Sequence, residues 1–171
     1  MQPSGNAQPQ FLSDDLLLEV GRIAVRRGSL RFMLLSIADA LFSARLGGWG
    51  AGRVLLANRE LPEICEALVT ISEAGGVPSD AVLNLADIAE KYRADFEFAA
   101  AIANGIWTYL GGEDDRQYGL YEREVVSDCQ LTPQWRRVRI ADLRKLRQRL
   151  DNAAEALRPL PLAMMSARRS E

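Results

Sequence analysis

The first feature of the sequence that suggests chemistry is a cluster of four arginines near its start: Arg22, Arg26, Arg27 and Arg31. In a helix this spacing groups the guanidinium groups over about two and a half turns, and like charges four residues apart repel each other unless negative charge lies opposite. Three acidic residues of a later predicted helix are candidates for that charge: Glu90, Asp95 and Glu97. The cluster therefore predicts either an ion-paired or solvated face, or a surface for RNA, a nucleotide or an acidic partner.

A second basic segment combines arginines with an aromatic residue. It begins with the sequence WRRVRI, from Trp135 to Ile140, and continues into the last predicted helix. Aromatic rings and cations together can bind single-stranded nucleic acid, although one tryptophan is a weak signal and an ordinary surface is favoured. Residues 131–171 carry ten basic and four acidic side chains, whereas residues 61–130 carry four basic and fourteen acidic ones. The basic end of the chain is therefore also suited to pack against its acidic middle.

The chain contains no histidine, and this restricts the catalysis available to it. Imidazole is the side chain that titrates near neutral pH without perturbation, so nucleophile systems that depend on histidine and ordinary histidine-containing zinc sites are excluded. An enzyme would have to use carboxylates, Tyr, Lys, Cys or a metal, and Arg93 and Glu97 are the residues best placed to serve it. We predict no catalytic residue, no metal site and no cofactor.

Composition predicts one globular domain of 171 residues, with 48% apolar and 26% charged residues and a net charge of -2. Cys65 and Cys129 lack the spacing of a disulfide framework or a metal knuckle, which favours a reducing compartment. The first twelve residues lack the pattern of a secretory signal, and no apolar stretch reaches the roughly 20 residues that span a bilayer. We expect a cytoplasmic protein with no membrane partner.

The first and last helices have clear sequence signals. Ser13 is an N-cap, and apolar residues recur at intervals of three, four and seven from there to about Arg45. The last helix is amphipathic and covers residues 141–157. Between these limits we predict a single helical bundle domain over residues 13–158, with flexible tails at 1–12 and 159–171.

The sequence between the first and last helices predicts further helices and contains one segment with two possible structures. Helices are expected at 52–58, 61–73 and, behind the Ser79-Asp80 cap, at about 81–110. Residues 118–126 and 135–140 are rich in aromatic and β-branched residues and favour a small β-hairpin. The alternative is a helix that starts at Thr132-Pro133 and continues into the last helix. The predicted class is all-α, an up-down bundle of four to five helices, two of them long, with a small β-hairpin or irregular insertion before the last helix.

The segment AAAIANGIWTYL, Ala99 to Leu110, has an Asn-Gly pair inside an apparently buried helix. Each of the two residues lowers helix propensity, and the sum is on the order of 1 kcal/mol or more. Trp107 follows, and a tryptophan at this place is more often part of a core than a platform for a ligand.

Three segments together resemble the HEPN type of small helical protein (higher eukaryotes and prokaryotes nucleotide-binding). Glu19 to Phe42 is similar to the first helix of that family, residues 139–157 are similar to its closing helix, and Ala99 to Leu110 occupies the place of its R-N-x-x-x-H-G-x-W element. Gly105 and Trp107 match this element. Ala99 and Ala100 stand at its arginine and asparagine positions, and Asn104 stands at its histidine position.

The resemblance implies a fold, a partner and a lost activity. In catalytic members the arginine and histidine of the element serve metal-independent RNA cleavage, and an amide cannot exchange a proton at neutral pH. Arg31 also stands where an acidic residue is common in the first helix. Family members commonly pair through their first and fourth helices, which implies a homodimer.

We therefore predict a non-catalytic interaction or regulatory module. It would bind RNA, a nucleotide or a protein partner, in the bacterial defence, toxin-antitoxin or mobile-element settings that the resemblance implies. A ribonuclease or toxin enzyme with a relocated active site is the alternative. Seven residues are predicted to contribute to binding: Asn104, Trp107, Arg22, Arg26, Arg27, Arg31 and Arg93.

Overall fold

A computed structural model describes residues 12–46, 50–74, 77, 79–111, 117–127 and 130–166. Residues 1–11 of the predicted N-terminal tail lie outside these ranges. Helices predominate within them, and a small antiparallel sheet is inserted between the fourth and fifth helices. The elements in chain order are α1 (Asp14–Leu46), α2 (Ala51–Leu56), α3 (Leu61–Ala74), α4 (Ser79–Asn104), β1 (Trp107–Gly111), β2 (Gln117–Ser127), β3 (Gln130–Arg139), α5 (Ile140–Leu157) and α6 (Leu160–Ser166).

Helix α1 begins and ends where the sequence predicts and lies at the centre of the helical packing. The backbone N–H of Leu16 donates to Ser13 Oγ at 3.3 Å, which confirms Ser13 as the N-cap. One face of α1 is completely buried at positions that include Ile23, Leu30 and Ile37. This helix contacts all five other helices of the described chain, so its buried stripe forms much of the shared core.

Helix α4 is shorter than predicted, because the Asn-Gly pair ends it. A Cβ atom at Gly105 would lie 2.2 Å from Leu120 Cδ1 and 2.4 Å from the carbonyl oxygen of Ala101, so the chain can turn there only with glycine. The following residues form β1, in which Trp107 lies opposite Leu120. The prediction of a helix as far as Leu110 was therefore wrong, and Ile106, which follows the glycine, is 65% exposed.

The inserted sheet has the order β1-β2-β3 and is antiparallel throughout. Strands β2 and β3 confirm the predicted hairpin, and the alternative helix is wrong because Thr132 and Pro133 both pair within β3. Residues 128–129, at the centre of the predicted turn, lie outside the described residues. The edge strand β1 was not predicted and extends the hairpin to three strands, and the described part of the chain is mainly helical, as predicted.

The last two helices close the core. Helix α5 has the predicted extent and buries Leu143, Leu146 and Leu150, and its Arg149 forms an ion pair with Asp95 of α4 at 2.7 Å. The basic end of the chain thus meets its acidic middle at this point. The predicted tail differs from the structure at Leu160–Ser166, which is helical, and Leu160 is buried. A proline in the first helical turn needs no N–H partner, and this is why Pro161 is compatible with α6.

Candidate interaction surface

A stripe of large apolar side chains lies exposed along the solvent side of α1. Leu18 is 52% exposed, Val25 72% and Phe32 61%, and these residues are seven positions apart. Seven residues are close to two helical turns, so the three side chains follow one line along the helix. We call them the α1 stripe. Such residues on one face of one helix differ from the scattered exposed apolar side chains that every protein surface has.

Two glycines leave the backbone of α1 uncovered by side chains beside the α1 stripe. Nothing lies within 4 Å of a Cβ atom placed at Gly21 or at Gly28, and both residues are exposed. Each lies three residues after a member of the stripe, so both are on the same side of it. A missing side chain at these positions leaves room for another helix to approach the backbone of α1 closely.

The predicted arginine cluster is divided among several internal partners. Arg22 Nη1 donates to Glu19 Oε1 at 2.9 Å, and Arg26 Nε lies 2.5 Å from Asp151 Oδ1 of α5. Arg27 pairs with Glu60 before α3, and Arg31 donates to the carbonyl oxygen of Ala57 after α2.

These partners show how the positive charge of the cluster is balanced within the chain. They come from α1, α5 and the segment between α2 and α3, so the suggested partners in α4, which were Glu90, Asp95 and Glu97, are not the ones used. The structure shows an ion-paired face that joins α1 to its neighbours. A basic patch made of all four arginines is not formed.

Glu19 is the charged group at the centre of the largest ion-pair network of the described residues. Its side chain is 3% exposed and lies close to three guanidinium groups, at 2.9 Å from Arg22, 3.1 Å from Arg147 and 3.7 Å from Arg144. Burial alone would raise the pKa of this carboxyl group, but the hydrogen bonds from Arg147 and Arg22 outweigh burial and lower the pKa. Glu19 is therefore charged at neutral pH and fixes α5 to α1.

Sequence reasoning did not identify Glu19 as an important residue, although a signal for it exists. The residue lies between Leu16 and Ile23 at spacings of three and four, which places it on the buried face of α1. A carboxylate at such a position requires cationic partners. The arginines of α5 that supply them are 125 and 128 residues away in sequence, and only the fold brings them together.

A shallow cavity of about 590 Å³ lies where the α1 stripe meets this network. Apolar side chains of α1, among them Leu18 and Val25, form part of its lining, and the charged part consists of Arg22, Arg26 and Arg147. The cavity joins an apolar surface to a basic rim. This combination is typical of a contact region for another macromolecule, in which apolar area supplies affinity and charge supplies orientation.

Arg93 lies at a different place, in a second cavity of about 530 Å³ between α3 and α4. It forms an ion pair with Glu66, and Glu90 and Thr70 also line the cavity. The hydrogen bond that Arg93 donates to the Glu66 carboxylate raises the pKa of the Arg93 guanidinium, which is therefore permanently charged. The neighbouring Cys65 is buried, and burial raises the pKa of its thiol to about 12.

The remaining two predicted site residues lie at the end of α4 and in β1. Asn104 is exposed at the last position of α4 and lines neither of the two cavities described. Trp107 is half-buried against the core, and its indole Nε1 lies 3.4 Å from the carbonyl oxygen of Ile102. The structure therefore gives Trp107 a packing role. Asn104 is accessible to solvent, but no contact among the described residues joins it to the arginines of α1.

The described residues meet the requirements of neither a metal site nor a membrane-spanning helix. Within the described ranges, no three cysteine or acidic side chains are grouped so that they could hold a metal ion, and no helix combines the length and the apolar character needed to cross a membrane. No family model, no curated protein and no solved structure matches the chain.

Proposed function

We propose that this protein is a non-catalytic interaction module, a helical bundle of HEPN type that forms a homodimer through the α1 stripe. The observation that carries the proposal is the exposure of Leu18, Val25 and Phe32 along a single line of α1. Large apolar side chains in such an arrangement are most stable when another surface covers them. Covering the exposed part of each contributes about 1–2 kcal/mol to association.

The arrangement of the α1 stripe favours a second copy of this chain as the partner. Val25 is the central residue, with Leu18 seven positions before it and Phe32 seven positions after it. If two copies of α1 pack antiparallel about Val25, Leu18 of each copy faces Phe32 of the other. The stripe is thus complementary to itself, which is the property that a two-fold symmetric interface requires. Gly21 and Gly28 leave room for the close approach of the two helices.

Two features of the end of α4 support a binding role without catalysis. Ala99, at the arginine position of the HEPN element, is completely buried, so no charged group can replace it without disrupting the core. Asn104, at the histidine position, is exposed and has no titratable side chain. The Arg93 region, which the alternative enzyme would need, offers one guanidinium that is already paired with Glu66.

The experiment is a measurement of mass in solution as a function of protein concentration, by sedimentation equilibrium or light scattering. We expect the wild type to dimerise and Val25→Asp to be monomeric, because a carboxylate at the centre of the stripe would be buried without a partner. Leu162→Asp is the matched control: it introduces the same charge at a side chain of α6 that is 76% exposed, and it should dimerise normally. A wild type that is monomeric at every concentration, or a Val25→Asp protein that still dimerises, contradicts the proposal.

A further inference from the structure

The side of the sheet that faces away from the helices carries an aromatic pair. The buried side chains of the sheet, Tyr118, Leu120 and Val138, all point to the helical core. Residues on a strand alternate between the two faces, so Gly119, Tyr121, Trp135 and Arg137 lie on the other one, together with Thr108 and Leu110 of β1. We call this set the outer sheet face. It is independent of the α1 stripe and of the dimer proposed above.

Tyr121 and Trp135 are direct cross-strand neighbours on this face. Their ring centroids are 5.6 Å apart, and their planes are inclined by 75°. Both side chains are half-buried, so part of each ring is accessible to solvent. An edge-to-face pair of this kind holds both rings in fixed orientations. The pair therefore offers two aromatic surfaces that are already positioned for stacking.

Gly119 is what allows the tryptophan to lie close to the sheet. A Cβ atom at this position would lie 2.9 Å from Thr108 Cγ2, 3.2 Å from Trp135 Cε3 and 3.3 Å from Leu110 Cδ2. The Trp135 indole thus lies over the β2 backbone at Gly119, and Thr108 and Leu110 of β1 lie beside the same glycine. A glycine at the centre of a strand is costly in conformational entropy, and here it leaves the space that the Trp135 indole occupies over the strand.

The strands carry a positive net charge, and Arg137 is an arginine that lies on the outer sheet face. The strands carry four arginines and two glutamates, Arg123, Arg136, Arg137, Arg139, Glu122 and Glu124, which gives a net charge of +2 where the whole chain has -2. Arg136 stacks over the ring of Phe98 of α4 at 3.9 Å and so supports the inner side. Arg137 lies opposite Gly119, is exposed, and forms no ion pair with another described residue.

We propose that the outer sheet face binds single-stranded nucleic acid. Two successive bases stack on Trp135 and Tyr121, and the Arg137 guanidinium contacts the phosphate between or beside them. Stacking on aromatic side chains is tolerant of sequence because every base has a π-face, and arginine supplies the contribution of charge. A single strand can present its bases to both rings, whereas a duplex would hide them.

The experiment measures the fluorescence anisotropy of a labelled oligouridylate and of a labelled oligothymidylate as the full chain is added, at several salt concentrations. We expect binding at low salt that weakens as salt increases. Trp135→Ala should weaken binding about tenfold, which is the effect of removing one stacked base. Arg137→Ala should lower the slope of log Kd against log salt by about 0.7, the value for one phosphate contact on a single strand. The difference between the two oligonucleotides shows whether the 2′-hydroxyl is recognised.

Two controls keep the test decisive. Arg158→Ala removes an exposed arginine at the C-terminal end of α5 and should leave the affinity and its salt dependence unchanged. Trp135→Phe keeps an aromatic ring and should retain most of the affinity. If Trp135→Ala does not fold, the affinity of Arg137→Glu tests the proposal instead, because an exposed side chain can be replaced without loss of packing. Arg137→Glu should weaken binding. No anisotropy change at low salt, the result expected of a surface for an apolar peptide, overturns the proposal, as does full affinity in the Trp135 and Arg137 variants.

Discussion

The carboxylate of Glu19 and the guanidinium of Arg147 are in contact at 3.1 Å, although 128 residues separate them in the sequence. The contact joins the buried face of α1 to α5 near the start of one helix and the middle of the other. Arg22 and Arg144 approach the same carboxylate from the same two helices. One buried charge therefore helps to orient two long helices, which apolar contacts and the Arg26–Asp151 ion pair also join, and it does so close to the α1 stripe.

The first prediction compares the two arginines that donate hydrogen bonds to Glu19. Arg147→Ala should lower the free energy of unfolding by about 1–3 kcal/mol, because a buried carboxylate loses a donor from the opposite helix. Arg22→Ala should cost less, about 0–1 kcal/mol, since Arg22 is half exposed and belongs to the same helix as Glu19. Urea denaturation of both variants measures the difference. Equal effects would mean that Glu19 does not depend on its contact with α5.

The second prediction concerns acid. The pKa of Glu19 is lower in the folded protein than its ordinary value of 4.5, so its contribution to stability is complete above that pH and is lost as the pH falls through the lowered pKa. Glu19→Gln removes this contribution at every pH. The melting temperature of the wild type should therefore exceed that of Glu19→Gln clearly near neutral pH, and this difference should shrink as the pH is lowered from 4.5 through the lowered pKa of Glu19. A difference that stays constant with pH would show that Glu19 contributes by packing and not by charge.

The third prediction tests the glycine that ends α4. Gly105→Ala should lower the free energy of unfolding by about 2 kcal/mol or more, because the new methyl group would overlap Leu120 and the carbonyl oxygen of Ala101. Gly28→Ala is a useful contrast, since space is open there and alanine favours the helix by about 1 kcal/mol. Thermal unfolding of both variants in the monomeric Val25→Asp background measures the two effects. A neutral Gly105→Ala would show that the turn tolerates a side chain.

The same glycine shows what the sequence could and could not predict. Helices α1, α3 and α5 follow from caps and apolar periodicity, because those signals are local and agree with one another along each segment. The end of α4 could not be predicted from these signals. Residues 99–103 are good helix formers, and the periodicity of apolar residues continues as far as Tyr109. The Asn104-Gly105 pair is the local signal that ends the helix, but the close approach of Leu120 of β2, which requires a glycine there, is a tertiary contact that no local pattern contains.

The candidate sites show the same limit. Spacing correctly placed the four arginines of the first cluster on α1, but their partners Glu19, Asp151, Glu60 and the Ala57 carbonyl come from three parts of the chain. The solvent-facing apolar residues of α1 also have a regular spacing, yet sequence alone cannot distinguish that stripe from the buried one, because both repeat with the period of a helix.

The fourth prediction concerns Cys65. Burial raises the pKa of its thiol to about 12, so the reactive thiolate is almost absent at the pH of ordinary labelling reactions. In a Cys129→Ser protein, iodoacetamide should leave the folded chain unmodified and label it fully in denaturant. Mass spectrometry of the intact protein measures the modification. Rapid labelling of the folded protein would mean that α3 separates from its neighbours often enough to expose Cys65.

The last prediction concerns RNA cleavage. Hydrolysis without a metal needs a group that moves a proton at neutral pH, and this chain has no histidine. The purified protein should therefore cleave mixed RNA, with or without added Mg²⁺ or Mn²⁺, no faster than a mock preparation from the same host. Arg93→Ala provides the control, because Arg93 is the residue that the enzymatic alternative requires. Cleavage that survives repeated purification and disappears in Arg93→Ala would replace the non-catalytic proposal with a site between α3 and α4, where Glu66, Glu90 and Arg93 line one cavity. Cleavage of equal rate in both proteins would instead identify a contaminating nuclease, since nothing in that cavity would then distinguish them.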